Sequence, residues 1–334
     1  MMTTIILPVL TGLALFLFGM KLMETALQHW AGASLQLWLE RFTRTPVHGL
    51  ATGTVLTAVL QSSTAITVIA IGLVGAGVLT FPRTLGVILG ANIGTCLTTE
   101  LIGLSIGHLG VPLLLASSAV WLASWWAGPL PPQAQGTDAS RSAHTDGGRG
   151  WLRSVRFGSL AVAGFALVLL GIEIMQTIGP ALQTRGLFAW FVNQAKVSLL
   201  WGVIAGAAVT ALVHSSAAVI AMAMGLASIQ GIPVELGVAI TIGANVGTCV
   251  TALIAGIGGT RASQYVAWSH ILLNVGGAIL FYPFMHQLVQ ISSMLAGGAS
   301  EQIARAQTVF NVVSSLLALP FCYLKIWERL EFRN

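Results

Sequence analysis

A polar motif occurs twice inside otherwise apolar sequence, 153 residues apart. Gln61-Ser62-Ser63-Thr64-Ala65 is followed by Gly90-Ala91-Asn92-Ile93-Gly94-Thr95-Cys96. His214-Ser215-Ser216-Ala217-Ala218 is followed by Gly243-Ala244-Asn245-Val246-Gly247-Thr248-Cys249. Segments 49–103 and 202–256 align without a gap, with 18 of 55 positions identical. The duplication reaches further upstream at an offset of 152, where Gly12, Leu17, Gly19, Met23 and Thr25 match Gly164, Leu169, Gly171, Met175 and Thr177. Because the matches include Gly, Ser, Asn and Thr, coincidence between two greasy helices does not account for them. The chain must fold as two related halves.

Composition fixes the solvent around those halves. Of the residues, 55% are hydrophobic and 7% charged, against about 25% charged in soluble domains. Mean hydropathy is +0.86. Such a chain reads as a polytopic membrane protein and excludes a soluble enzyme core. The net charge of +5 is scattered over loops and ends, so it is no nucleic-acid footprint. Cys96, Cys249 and Cys322 lack metal-ligand spacing and read as small packing residues. The first apolar run, 5–27, lacks the basic flank of a secretory signal and is expected to stay as a helix.

The apolar segments predict helices at 5–28, 84–104, 109–127, 156–180, 235–257, 265–289 and 306–327, with shorter pieces at 47–60, 65–80, 198–213 and 217–229 around the two motifs. A 14-residue helix reaches about 21 Å, short of the roughly 30 Å hydrocarbon core. Each short pair therefore predicts a re-entrant hairpin with its Ser-Ser pair at the tip, tolerated only in protein or beside an aqueous cavity. Gly49, Gly53 and Thr57, and their equivalents Gly202, Gly206 and Thr210, lie four apart and allow close backbone approach. The expected fold class is an all-α polytopic membrane protein of two inverted repeats, each with a re-entrant helical hairpin and broken helices. The expected units are a first repeat 1–127, a disordered cytoplasmic linker 128–150, a second repeat 151–290, and a last transmembrane helix with its tail, 291–334.

Orientation follows from the basic residues. With the N-terminus outside, Lys21, Arg41, Arg44, Arg83, Arg141, Arg149, Arg153, Arg156, Arg261, Lys325, Arg329 and Arg333 fall to the cytoplasmic side, and Arg185, Lys196 and Arg305 to the outer side. That asymmetry predicts N-outside and C-inside in the cytoplasmic membrane.

Two broken elements in inverted repeats point to a transport site near the midplane. Half-helix N-termini favour anions, while carbonyls at half-helix C-termini with Asn and Thr oxygens suit sodium. Asn92 and Asn245 mark expected helix breaks, with Thr98 and Thr251 as equivalent hydroxyls one turn after Thr95 and Thr248. No Arg or Lys and no carboxylate lies in either motif. A buried divalent anion would need countercharge, which co-bound cations can supply. Asn92 and Asn245 also fit interhelical bonding, and His214, standing where Gln61 stands, fits a ligand donor, a titrating group or a core histidine. Lys21 and Glu173 are repeat equivalents and would pair if the halves pack face to face; Glu24 and Glu100 read as interfacial. No metal-ligand spacing, phosphate loop or hydrolytic set is present, so no catalytic residue, cofactor or metal other than sodium is expected.

Both motif sets resemble those of the sodium-dependent phosphate cotransporter family, the type II Na/Pi group and its bacterial relatives, over about 10–127 and 156–290. That resemblance implies an all-helical transporter with phosphate at Gln61, Ser62, Ser63, Ser215 and Ser216, joined by His214 in place of the second Gln. Asn92 and Asn245 would hold phosphate or sodium, and Thr64, Thr95, Thr98, Thr248 and Thr251 would serve sodium. Thr64 and Ala217 depart from the family pattern, in which the last motif position is Ser. Many bacterial relatives carry a PhoU-like domain after the last helix; here a chain ending at Asn334 is expected to lack it. The partners expected are inorganic phosphate, sodium and the lipid bilayer, with a homo-oligomer left open and no nucleic acid. The alternatives are transport of another oxyanion or a dicarboxylate, or a non-transporting membrane phosphate sensor.

Overall fold

The computed structural model describes residues 7–31, 34–104, 106–130, 150–177, 186–324 and 327. Most of the linker expected at 128–150, and the connector residue Arg185, lie outside the described residues. Among the described residues every regular element is helical. The first half contains α1 (Leu7–Ala31), α2 (Ser34–Phe42), α3 (Pro46–Leu60), α4 (Ser63–Gly75), α5 (Phe81–Gly94), α6 (Cys96–Gly103) and α7 (Gly110–Trp126). The second contains α8 (Gly150–Gln176), α9 (Gly186–Val197), α10 (Leu200–Val213), α11 (Ser216–Ser228), α12 (Val234–Gly247), α13 (Cys249–Gly256), α14 (Arg261–Phe281), α15 (Met285–Leu295) and α16 (Ala299–Ala318). The order in the second half matches the first through α13.

Among the described residues, seven helical stretches are long and apolar enough to cross a membrane, counting α5–α6 and α12–α13 as single spans of 23 residues each. The chain is an integral membrane protein. Large apolar side chains point outward, as a hydrocarbon solvent requires: Leu212, Leu272 and Trp126 are more than 70% exposed. The four helices α3, α4, α10 and α11 have 13 to 15 residues, about 20–22 Å of helix.

Local chemistry sets the ends of these short helices. Thr45 caps α3, its hydroxyl accepting from the His48 N–H, with Pro46 in the first turn where no amide donor is needed. α3 stops at Gln61, which adopts a left-handed conformation at φ 55°, ψ 28°. Ser62 then turns extended and caps α4 through Ala65 N–H. The second copy does the same: His214 sits at φ 56°, ψ 26° and Ser215 caps α11 through Ala218 N–H.

Glycines place the helices. On α1 and α8 the contacts are reciprocal. A Cβ on Gly19 would lie 2.5 Å from Gly164 O, and one on Gly164 2.6 Å from Gly19 O. Gly12 and Gly171 stand in the same relation at 2.7 and 2.6 Å. Gly12 is the repeat equivalent of Gly164, and Gly19 of Gly171, so each helix meets its counterpart's other glycine, in antiparallel register. Within each half α3 lies against α5, and α10 against α12: a Cβ on Gly90 would meet Leu50 O, and one on its equivalent Gly243 would meet Val203 O.

α16 closes the bundle, burying Ile303, Ala304, Gln307, Phe310 and Asn311. It starts seven residues before the expected 306, at Ala299, because Glu301 reaches back to the Gly298 N–H. Arg156 joins α7 to α8, donating to Ser124 Oγ, Ser124 O and Gly128 O over the Trp125 ring. A guanidinium on the carbonyl end of α7 satisfies acceptors that the helix itself leaves open.

Candidate functional site

Two left-handed residues bring the two tips together. A left-handed residue followed by an extended serine reverses the chain and leaves the first N–H groups of the next helix without a helical acceptor. Both tips face one cavity of about 330 Å³. Gln61, Ser62, Ser63 and Thr64 line it from the first half, and His214, Ser215, Ser216 and Ala217 from the second. Thr95, Thr98, Thr248 and Thr251 complete its polar wall, so nine hydroxyl side chains face one space. The ends of two half-helices, α4 and α11, meet it with their partial positive charge.

The two halves differ at the tip. Gln61 donates to Ala58 O at 2.5 Å and accepts from Thr98 Oγ1 at 2.5 Å, so its amide bridges the tip to α6. His214 is exposed in the cavity, and Thr251 instead donates to Thr248 O at 2.7 Å. The imidazole therefore has freedom that the glutamine lacks.

Asn92 and Asn245 do not line the cavity. Asn245 is buried and donates to Thr241 O at 3.1 Å, within its own helix. The interruption falls three residues later than the asparagines, at Thr95 and Thr248, and it is slight. Both threonines keep helical dihedrals and N–H bonds to Ala91 O and Ala244 O. Their hydroxyls donate to Ala91 O and Asn245 O. Each pair, α5–α6 and α12–α13, is thus a helix interrupted at a single residue.

One expectation for charged residues is corrected. Lys21 does not pair with Glu173; it bonds Glu24, one turn away, at 3.3 Å. Glu100, near the end of α6, receives Arg305 at 2.5 Å and the Thr308 hydroxyl at 2.6 Å, fastening α6 to α16. Glu24 has a different place. It lines the cavity with Lys21, Leu17 and Met20 of α1 and accepts a hydrogen bond from Ser62 Oγ. The signal for Glu24 was present. A carboxylate seven residues inside the end of a 25-residue apolar helix sits about 10 Å from its terminus, too deep for a helix-end charge.

A second polar cavity is lined by Leu169, Ile172, Glu173 and Gln176 of α8, with His108, Ser228 and Ser300. Those four α8 residues are the repeat equivalents of Leu17, Met20, Lys21 and Glu24, the four that line the first cavity.

Comparison with known proteins gives the chain's family. The family model described as Na+/Pi-cotransporter matches residues 15–128 and 167–300, both halves of the chain. Protein YqeW of Bacillus subtilis (strain 168) is 31% identical over 311 residues, covering 92% of each chain. The Escherichia coli (strain K12) protein named "Putative inorganic phosphate export protein YjbB" is 25% identical over 95% of this chain, which spans 53% of that protein's length. A shorter match, 32% over 139 residues, covers 40% of this chain and 19% of the "Sodium-dependent phosphate transport protein 2B" of Rattus norvegicus. No solved structure matches. With both halves matched by one family model and a relative similar along nearly its whole length, the chain belongs to the Na+/Pi-cotransporter family.

Proposed function

We propose that this protein carries inorganic phosphate across the cytoplasmic membrane by alternating access, coupled to sodium. The observation that carries this is the convergence of two equivalent, sequence-distant tips on one hydroxyl-lined cavity. Ser62, Ser63, Ser215 and Ser216, with Gln61 and His214, are the phosphate side. Thr64, Thr95, Thr98, Thr248 and Thr251 offer oxygens to sodium, a hard cation, beside the helix joints. Asn92 and Asn245 shape the joints from behind. Sodium is a co-transported ligand here, and it supplies the positive charge that the two motifs lack.

The reciprocal glycine contacts of α1 and α8 support reading the halves as inverted repeats. The shortness of α3, α4, α10 and α11 supports re-entrant hairpins. With the N-terminus outside, Lys21 and Glu24 lie in the cytoplasmic half of α1, so the tip cavity opens inward and the α8-lined cavity outward. The gradient sets the net direction of flux.

Radiolabelled phosphate flux into proteoliposomes, with and without a sodium gradient, tests the reading. Flux that ignores sodium sinks the coupling, and displacement by sulfate or succinate but not arsenate sinks the phosphate assignment. Ser63→Ala and Ser216→Ala each remove one charge-assisted hydrogen bond, worth about 1.5–3 kcal/mol. Each variant is expected to lower kcat/KM for phosphate roughly 10- to 100-fold, and unchanged flux removes that serine from the site.

A further inference from the structure

We infer that Glu24 is a ligand of the coupling cation and the group that makes anion binding depend on that cation. The inference rests on the sodium-coupled phosphate reading above, which gives no acidic residue a part in binding. Glu24 supplies the carboxylate of the tip cavity. Ser62 Oγ donates to it, while the same oxygen accepts the Ala65 N–H that starts α4. The single proton of Ser62 is therefore committed to Glu24 in this state, and an anion can draw on it only once a cation has taken its place at the carboxylate.

Charge makes the same argument more strongly. An anion taken up at the first tip would sit beside a carboxylate. At an effective dielectric of about 20, two like unit charges about 6 Å apart weaken binding on the order of a hundredfold. Lys21 does not cancel this. Its side chain is 71% exposed and lies one turn along the same helix, 3.3 Å from the carboxylate. An ammonium so exposed is screened by water and ions and offsets the carboxylate's field only in part. His214 faces the cavity from the other tip and bears no contact to Glu24. A cation bound between Glu24 and the anion removes the repulsion and gains a carboxylate oxygen as ligand. Empty of cation, the carboxylate keeps the anion out.

The second half has no such group. The repeat equivalent of Glu24 is Gln176, which is neutral and donates to Ser228 Oγ at 3.1 Å, away from the second tip. The carboxylate-dependent cation site therefore belongs to the first tip alone.

The test is phosphate binding to the purified full chain with sodium and with an impermeant organic cation in its place. The wild-type protein is expected to bind phosphate at least about tenfold more tightly in sodium, which by linkage is the coupling between the two ligands. Glu24→Gln, of the same shape without the charge, is expected to bind phosphate in the absence of sodium at least about tenfold better than wild type. Its gain from added sodium should shrink below about threefold. Glu24→Asp, which keeps the charge, should restore the sodium effect, which a merely structural role would not predict. Glu24→Gln with the wild-type sodium enhancement overturns the assignment while leaving the phosphate reading intact. Wild-type protein that binds phosphate equally with and without sodium overturns both.

Discussion

Gly90→Val and Gly243→Val are each expected to abolish folding of the transporter, leaving no monodisperse protein on size exclusion after detergent extraction. A Cβ on Gly90 would lie 2.0 Å from Leu50 O and 2.7 Å from Thr54 N; one on Gly243 would lie 2.0 Å from Val203 O. The neighbours are main-chain atoms of α3 and α10, which cannot rotate away as a side chain does. Overpacking that side chains absorb costs about 1–3 kcal/mol. Here two helices must separate, which takes the cost past the roughly 4–5 kcal/mol that marks an exceptional substitution. The separation would also displace the tips, since α3 and α10 run directly into Gln61 and His214. Gly72→Ala and Gly276→Ala meet nothing within 4 Å and serve as controls, with Tm within about 2 °C of wild type. Wild-type elution and Tm for Gly90→Val would show that the arms are not held by backbone contact.

Much of this site was legible because its pattern is chemical as well as periodic. Two Ser-Ser pairs after short apolar segments marked the turns between α3 and α4 and between α10 and α11 to within two residues, and in each the first Ser caps the next helix. The equivalence of Gln61 and His214 was also readable, and both adopt the same left-handed conformation. What sequence alone misplaced depends on contacts between distant elements. Asn92 and Asn245 stand beside glycines and so suggest a break. Yet Gly94 and Gly247 serve to seat Thr57 and Thr210 against the helix, and the joint falls at the following threonine. The partners of Glu100, Arg305 and Thr308, were out of reach of the sequence because they lie more than 200 positions away. Lys21 and Glu173 are equivalent by repeat, but α1 and α8 are antiparallel partners through their glycines, which sends the two side chains to different cavities.

Bridging Gln176→Cys to Ser228→Cys with a short bifunctional thiosulfonate is expected to stop phosphate flux altogether, with recovery on reduction. In the present conformation Gln176 Nε2 donates to Ser228 Oγ at 3.1 Å, joining α8 to the far end of α11. The repeat equivalents of this pair are Glu24 and Gly75, and they do not meet. Gly75 faces Ser263 and Thr260 of α14, while Glu24 holds the Ser62 hydroxyl at the opposite end of α4. The two halves thus hold the same helix pair in two different registers. If the halves exchange registers during transport, Gln176 leaves Ser228 for Ser215 and Glu24 leaves Ser62 for the Gly75 end of α4. A bridge between positions 176 and 228 forbids that exchange. Neither residue touches the tip cavity in this conformation, and flux in the bridged protein is read against the same double variant before bridging and after reduction. Cys96, Cys249 and Cys322 are buried and free and would be changed to Ala in the background. Full flux in the bridged protein would mean that α8 and α11 move as one body, and that the difference between the halves is a fixed asymmetry with no part in the transport cycle.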